Sequence, residues 1–412
     1  MRFILGIILA TICFSRAAIA ADWCGYRGPN QDGISNETVN LNWPADGPKV
    51  VWKAETKNGF SSFAVVGDKA FTLVNRDLDG SPREICVALD AASGKEVWMA
   101  DLAAGKGYSG GGDGDGPRST PTISEGLVYT FTPDLVLHCH DAQTGKAVWT
   151  KDLIKEHAGH NIGWNSAASP VIDGDLVFVA GGGPGQSLLG IAKKTGKVVW
   201  KTGKETMTHA MPVVGTILDR RQVIFFCKSG LVAVAAKNGR ELWRFPYNYK
   251  TATAVSPVIC GDVVYCSAGY GVGGGACKIT KSGTRFTATE LYRNVKSIQD
   301  LWSTPVFKDG YLYGMISFKQ FKKGPLKCVE AATGNIRWEQ PGFGAGQVIL
   351  VGDKLLALSD QGELVVVEAT PNSYKEIARA KVVNGKCWST PALSDGRIYV
   401  RSTTEAACLD AR

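Results

Sequence analysis

One loop of this 412-residue chain gathers imidazole side chains of the kind that bind transition metals. Segment 154–166 carries His157 and His160, and His209 follows in a neighbouring repeat. Neutral imidazole nitrogens are suitable ligands for Zn, Cu, Fe and Ni. The three histidines could share a metal ion only if the loops fold inward, and no spacing between them fixes that geometry. We therefore expect a loop here and predict no metal site.

A second loop offers carboxylates. The Gly-rich segment 102–119 contains Asp113 and Asp115 in an Asp-x-Asp-Gly fragment, which occurs within known calcium-binding loops. The other oxygen ligands of such a loop are missing from the following residues. We expect this segment to be a flexible connection, and no calcium ion is predicted in it.

The elements that position these loops repeat along the chain. The first repeated phrase is a short apolar run, an Asp-like position, a Gly turn and a Trp four residues after the Gly, and its cleanest copy has Ala88, Asp90, Gly94 and Trp98. One copy, 276–287, keeps the Gly but lacks the indole. A degenerate copy at 364–377 keeps Tyr374. The tryptophans of the intact copies are Trp98, Trp149, Trp200, Trp243 and Trp338.

A second repeated phrase gives the number of units. It joins a small polar residue, often a Pro, an apolar pair, a Gly or Asp turn and another apolar run, which is typical of two short strands joined by a tight turn. It occurs eight times, at 61–73, 119–131, 168–180, 210–226, 255–267, 303–315, 347–359 and 389–401. Together the two phrases make eight four-stranded units. Such radial repetition predicts an all-β, eight-bladed β-propeller with antiparallel blades.

The two ends of the chain complement each other. The last segment, 405–412, is the third strand of a unit and stops before its Trp strand. Segment 48–55 carries Trp52 after an apolar pair, without a preceding Gly turn. We predict that this N-terminal strand pairs with the C-terminal blade and closes the ring.

The N-terminus indicates export. Residues 1–21 combine Arg2, an apolar stretch and a small-residue cleavage site, which is the pattern of a secretory signal peptide. The apolar stretch is too short for a permanent membrane span. Residues 22–412 are predicted to form one propeller domain, a monomer that is exported to the periplasm or the extracellular space. The net charge of +8 is spread without basic runs, which disfavours a nucleic-acid partner.

Export makes disulfides possible, and ten of the eleven cysteines follow the signal. Cys139, Cys277, Cys328 and Cys408 are assigned to one repeat position that demands a small buried side chain, and we expect them to stay unpaired. A disulfide among Cys24, Cys227, Cys260, Cys266 and Cys387 is possible, but the sequence does not assign one.

The phrase Ala-x-Asp-x-x-x-Gly-x-x-x-Trp resembles the tryptophan-docking motif of the quinoprotein (PQQ-type) propellers, and the resemblance covers nearly the whole chain after residue 21. It implies that Trp52, Trp98, Trp149, Trp200, Trp243 and Trp338 pack between neighbouring blades, with the indole N–H bonded to backbone. Segment 23–35 is also similar to the start of many exported PQQ-like repeat proteins of unassigned function.

The superfamily includes quinone-dependent alcohol and sugar dehydrogenases and non-catalytic BamB-type propellers. The resemblance implies that a dehydrogenase would hold PQQ between a Trp and a ring of two adjacent cysteines, and Ca²⁺ with Glu, Asn and Asp. This chain has no adjacent cysteine pair, and it is shorter than those enzymes. No cofactor is therefore expected, with PQQ and calcium as the alternative, and no catalytic residue is assigned.

The binding site is predicted at the axial opening, where the chain approaches the innermost strands. The residue three before the second-phrase Pro, or its aligned counterpart, is here called the mouth position, and it is aromatic or cationic in several units. The eight mouth positions are Phe60, Arg118, Ala167, His209, Ala254, Trp302, Ala345 and Trp388. Flat faces and hydrogen-bond donors around one opening would suit a ligand, although aromatic side chains there could also simply cap the core. The candidate ligand-binding residues are Phe60, Arg118, Trp164, His209, Trp302 and Trp388.

These observations favour a non-catalytic binding or scaffold module that takes a protein, peptide or glycan at its mouth. The alternative is a PQQ- and Ca²⁺-dependent alcohol or sugar dehydrogenase. The absence of a paired-cysteine motif and a haem-attachment motif in the sequence supports the first hypothesis.

Overall fold

The computed structural model describes residues 22–44, 46–105 and 116–412. The predicted signal peptide, Asp113 and Asp115 lie outside the described residues. The described chain forms eight sheets with four antiparallel strands each, one of which gains a fifth strand, and this confirms the predicted eight-bladed propeller. No helix within the described ranges is long and apolar enough to cross a bilayer.

Two strands precede the first blade, β1 (Ile34–Ser35) and β2 (Val50–Glu55). The next four blades follow in chain order, each running from the innermost to the outermost strand. Blade 1 contains β3 (Ala64–Val66), β4 (Lys69–Leu78), β5 (Ser81–Asp90) and β6 (Glu96–Ala104). Blade 2 contains β7 (Thr122–Ser124), β8 (Leu127–Phe131), β9 (Val136–Asp141) and β10 (Ala147–Asp152). Blade 3 contains β11 (Val171–Asp173), β12 (Leu176–Ala180), β13 (Leu188–Ala192) and β14 (Val198–Thr202). Blade 4 contains β15 (Val213–Ile217), β16 (Arg220–Cys227), β17 (Gly230–Ala235) and β18 (Glu241–Pro246).

The other four blades complete the ring. Blade 5 contains β19 (Val258–Cys260), β20 (Val263–Ala268), β21 (Gly273–Ser282) and β22 (Arg285–Asn294). Blade 6 contains β23 (Val306–Lys308), β24 (Tyr311–Gly314), β25 (Leu326–Glu330) and β26 (Ile336–Gln340). Blade 7 contains β27 (Gln347–Val351), β28 (Lys354–Leu358), β29 (Glu363–Glu368) and β30 (Glu376–Lys381). Blade 8 contains β31 (Ala392–Ser394), β32 (Arg397–Arg401), β33 (Glu405–Asp410) and, as its outermost strand, β2. One short helix, α1 (Leu153–His157), begins the segment that we expected to be a loop.

The ring closes as predicted. Strand β2 pairs antiparallel with β33, and Trp52 lies opposite Cys408. The sequence did not indicate the role of β1, which pairs in parallel with β27 and adds a fifth strand to blade 7. The N-terminal segment therefore contributes strands to two blades.

Hydroxyl groups join the blades near the axis. The backbone N–H of Ser62 donates to Thr120 Oγ1 at 3.0 Å, and the N–H of Thr120 donates to Ser169 Oγ at 2.9 Å. Across the closing junction, the N–H of Thr390 donates to Ser62 Oγ at 2.8 Å. In these units the small polar residue of the second phrase thus satisfies a buried amide of the preceding blade.

Docking tryptophans connect the blades farther out. Trp52 Nε1 donates to the Ala91 carbonyl of blade 1 at 3.0 Å, and the ring of Trp52 packs on Gly94. Trp98, Trp149, Trp200 and Trp338 make the corresponding bond to a carbonyl of the next blade. Glycine is required at the receiving turn because a Cβ at Gly94 would lie 2.6 Å from the indole. Trp243 differs, since its Nε1 donates to Gln222 Oε1 of its own blade at 2.6 Å.

Blade 5 requires a correction. The hairpin of β21 and β22 is long, and Tyr292 lies opposite Ala276 in the register that Trp98 and Ala88 occupy in blade 1. Tyr292 packs on Gly334 of blade 6, so it takes the docking place of the missing Trp. Ala276 fills the small-residue position that we had assigned to Cys277. All ten described cysteines are free thiols.

The N-terminal segment crosses the central channel. Residues 22–37, here called the plug, pair with inner strands of several blades, beginning with Trp23, whose N–H donates to the Val65 carbonyl at 2.8 Å. Arg27 is buried and donates from Nη1 to the Thr304 carbonyl at 2.7 Å and from Nη2 to the Pro305 carbonyl at 2.8 Å. At the far side, the Gly396 N–H donates to Glu37 Oε2 at 2.7 Å. The plug therefore closes the channel on one face of the ring, the face that carries the turn between the first and second strands of each blade.

Replacement of Trp52 tests the closure. We expect Trp52→Ala to lower the free energy of unfolding by about 3–5 kcal/mol, because a buried indole and its bond to Ala91 are lost at the junction of the first and last blades. Equilibrium urea unfolding measures the change. Val97→Ala, which alters an exposed apolar side chain, is the control. Equal stability of the Trp52 and Val97 variants would contradict a stabilising clasp.

Candidate functional site

The face opposite the plug opens into a cup of about 370 Å³ on the propeller axis. Seven of the eight mouth positions line it, the exception being Ala345. The ring of Tyr26, from the plug, contributes to the same lining. The cup is therefore blind, because the plug occupies the channel beneath it. All six candidate binding residues lie in one cavity: Phe60, Arg118, Trp164, His209, Trp302 and Trp388.

One wall of the cup is aromatic. Trp388 stacks on Phe60 with ring centroids 4.8 Å apart, and Trp302 lies against Trp388 at 4.8 Å with an interplanar angle of 30°. Phe321 is nearly parallel to both tryptophans, at 17°. The Phe321 side chain is exposed, whereas the three mouth rings are half-buried. These rings form one aromatic stack, and its three mouth rings line the cup with the surface that their neighbours leave uncovered.

The opposite wall is built around the loop that carries Trp164. Arg118 Nη2 donates to the Trp164 carbonyl, and His209 Nε2 donates to the Gly163 carbonyl at 2.9 Å. Trp164 is 52% exposed and has φ of 62°, a left-handed conformation that is costly for a bulky residue. Arg118 and His209 thus hold an exposed indole at the rim, a positioning role that the sequence did not indicate.

Burial lowers the pKa of His209 to about 4, and the nearby Arg118 charge acts in the same direction. His209 is consequently neutral at pH 7, which fits its role as an N–H donor to a carbonyl. Behind Arg118, burial raises the pKa of the Glu84 carboxyl to about 8, while the Arg118 charge opposes the rise and Asp134 adds to it. Burial thus opposes ionisation of the Glu84 carboxyl beside Arg118.

Sequence reasoning missed the loop between β24 and β25. It contributes Lys319 to the cup lining and places Phe321 on the aromatic stack. Lys319 Nζ lies 4.8 Å from the ring centroid of Tyr270, another lining residue. The interleaved basic and aromatic residues of 318–323 were the available signal, but this loop lies outside both repeated phrases.

The three histidines considered as metal ligands have different surroundings in the structure. His157 lies buried at the end of α1 and contacts Gln186 Oε1 through Nδ1 at 3.2 Å, whereas His160 is exposed. His209 is bonded to the loop backbone instead. Within the described ranges, no group of three or more His, Cys, Asp or Glu side chains is placed to hold a metal ion.

Cationic side chains lie in and beside the cup. Arg118 and Lys319 line it, and Lys386 Nζ lies 4.8 Å from the centroid of Trp388. Among the described residues, the lining includes no Asp or Glu side chain. Polar groups of Ser169, Thr253 and Gln347 complete the inner surface.

Comparison with known proteins places this architecture in a family. A family model described as outer membrane protein assembly factor BamB matches residues 81–314 and 322–411. The chain belongs to this family. It is 24% identical to BamB of Burkholderia pseudomallei strain K96243 over 281 residues. This aligned region covers 66% of the chain and 65% of the relative's own length.

Solved structures agree on the fold. BamB from Moraxella catarrhalis superposes with a TM-score of 0.61 at 17% identity, covering 88% of this chain and 97% of that one. The quinohemoprotein alcohol dehydrogenase ADHIIG from Pseudomonas putida HK5 gives 0.66 at 12% identity, covering 95% of this chain and 80% of that one. At these identities the structural similarity shows the fold alone. It therefore does not show whether this chain has a dehydrogenase activity.

The low pKa of His209 predicts an acid-dependent stability. Between pH 6.5 and 4 the unfolded chain binds a proton that folded His209 does not, so stability falls as the pH falls through this window. Relative to His209→Gln, the wild type should lose up to about 1.4 kcal/mol more per pH unit. Urea unfolding at several pH values measures both slopes. Val97→Ala, at an exposed apolar side chain, should keep the wild-type slope, and parallel slopes for His209→Gln would refute the assignment.

Proposed function

We propose that this protein is an exported, non-catalytic propeller that acts as a binding or scaffold module with its ligand in the axial cup. The observation that carries the proposal is the convergence of the mouth positions on one blind cavity, where they break the repeat with aromatic and cationic side chains. A volume of about 370 Å³ is within the range of small-ligand sites. The ligand would be a small molecule or the end of a larger protein, peptide or glycan.

Family membership supports a scaffold role. The matched family is described as an assembly factor for outer membrane proteins, which implies protein partners in that family. We propose that this chain is exported, because residues 1–21 have the pattern of a signal peptide. The propeller would then present the cup face to a ligand, while the outermost strands of its blades remain available to a protein partner.

The cup does not fit the quinone arrangement of the related dehydrogenases. A planar ring held between two others needs them about 7 Å apart, twice a contact distance of roughly 3.5 Å. The centroids of Trp302 and Trp388 are separated by 4.8 Å, as are those of Phe60 and Trp388, so these faces are occupied by one another. The described lining also offers no carboxylate for Ca²⁺. We derive no redox step for this site.

Titration with PQQ and Ca²⁺ tests the non-catalytic part of the proposal. We expect no saturable change in visible absorbance at micromolar PQQ and no dye-linked oxidation of ethanol or glucose, because the described lining offers neither a pair of cysteines for the quinone nor a carboxylate for Ca²⁺. A PQQ-dependent dehydrogenase reconstituted in the same buffer serves as the positive control. Micromolar binding with turnover would refute the proposal in favour of an oxidoreductase.

The location of the site is tested with glycan and peptide arrays. Wild-type protein should retain ligands that Trp388→Ala fails to retain, since the substitution removes the ring at the centre of the stack. The melting temperature of the variant verifies folding, and Lys237→Ala, at an exposed turn on the opposite face, should bind as the wild type does. Unchanged retention by a folded Trp388 variant would place binding elsewhere.

A further inference from the structure

We infer that the cup takes a terminal sugar ring that bears a carboxylate, a hexuronate at the end of an acidic glycan. The inference rests on the proposed function, because it names the ligand class of the same cup. Shape, aromatic faces, charge and the state of the backbone amides point to this class.

The blind shape selects the end of a chain. The plug closes the channel beneath the cup, and Arg27 is fixed there by the Thr304 and Pro305 carbonyls. A polymer therefore cannot thread through the axis, and it can insert only a terminal unit. The cup is a depression rather than a groove, so an extended segment would find no track to follow.

The aromatic wall favours a sugar ring over an inserted planar ligand. Trp302, Trp388 and Phe60 are stacked on one another and turn their remaining surface to the cavity. A pyranose has a face of C–H groups that packs on such a surface, gaining dispersion contacts and the attraction of C–H groups for the ring face. Across the cup, the exposed ring of Trp164 offers a second face at the rim.

The charges specify an acidic sugar. Arg118 and Lys319 line the cup, and the described lining supplies no carboxylate to accept from neutral sugar hydroxyls. A ligand with acceptor oxygens and negative charge complements the Lys319 ammonium group and the Arg118 guanidinium. A ring carboxylate fits this surface because it combines both with the stacking face.

The backbone at the mouth is less suited to a peptide terminus. Peptide carboxylates are commonly captured by unpaired backbone N–H groups. Here the Phe60 N–H donates to the Pro117 carbonyl, and the Ala254 N–H donates to the Leu301 carbonyl. The His209 N–H donates to the Thr253 carbonyl. These three amides join neighbouring segments of the ring and are therefore not available to a peptide carboxylate.

Calorimetric titration of the full-length mature protein with trigalacturonate tests the inference. Its methyl ester and a hexaglutamate peptide are the comparison probes. We expect trigalacturonate to bind, with affinity falling as salt rises, and the neutral ester to bind at least tenfold more weakly. The peptide should bind at least tenfold more weakly than trigalacturonate, since its side chains lack a stacking face.

Two variants locate the contacts. Lys319→Ala, at an exposed side chain, should weaken trigalacturonate about fivefold and leave the ester unchanged. Trp302→Ala should weaken both saccharides at least tenfold, with partial recovery in Trp302→Phe. Lys237→Ala, on the opposite face, should change neither affinity.

Each contrary result has its own meaning. No trigalacturonate binding, or equal binding of acid and ester, would overturn the uronate assignment. Preferred binding of hexaglutamate that Trp302→Ala abolishes would replace the sugar with an acidic peptide and leave the cup as the binding site. Trigalacturonate binding that none of the cup variants changes would overturn both the ligand class and the proposed site.

Discussion

Closure of the ring is the constraint on which the rest of the structure depends. A blade of four strands has two apolar faces, and both are covered only when the blade has a neighbour on either side. The pairing of β2 with β33 supplies the last neighbour, and Trp52 repeats across that junction the carbonyl bond made by the other docking tryptophans. Once the ring is closed, eight equivalent positions must face one opening, so a few substitutions there are enough to build a cup.

Residues that dock the blades and residues that line the cup differ in how far they follow the repeat. A residue that serves blade packing recurs, as the indole bonds of Trp98 and Trp149 show. A residue that serves the cup departs from its counterparts, as Trp302 departs from Ala254 in the preceding unit. Blade 5 combines both behaviours, because Tyr292 preserves the packing contact while the long hairpin abolishes the Gly-to-Trp spacing.

The sequence was sufficient for the blade count, the closure and the residues around the opening, because turns and strands are local and the repeat aligns equivalent positions. The plug was not predictable in this way. Its contacts join Arg27 to carbonyls far along the chain, and no periodicity marks them. For the same reason, the bonds of Arg118 and His209 to the Trp164 loop appear only once the blades are assembled. Lys319 and Phe321 were missed because their loop belongs to a single unit.

A crystal structure of the wild-type protein soaked with trigalacturonate tests the central claim most directly. The account predicts a terminal sugar ring in the cup, packed on the wall formed by Phe60, Trp302 and Trp388, with its carboxylate within reach of Lys319 or Arg118. An ordered saccharide on another surface, with the cup free of it, would contradict the account.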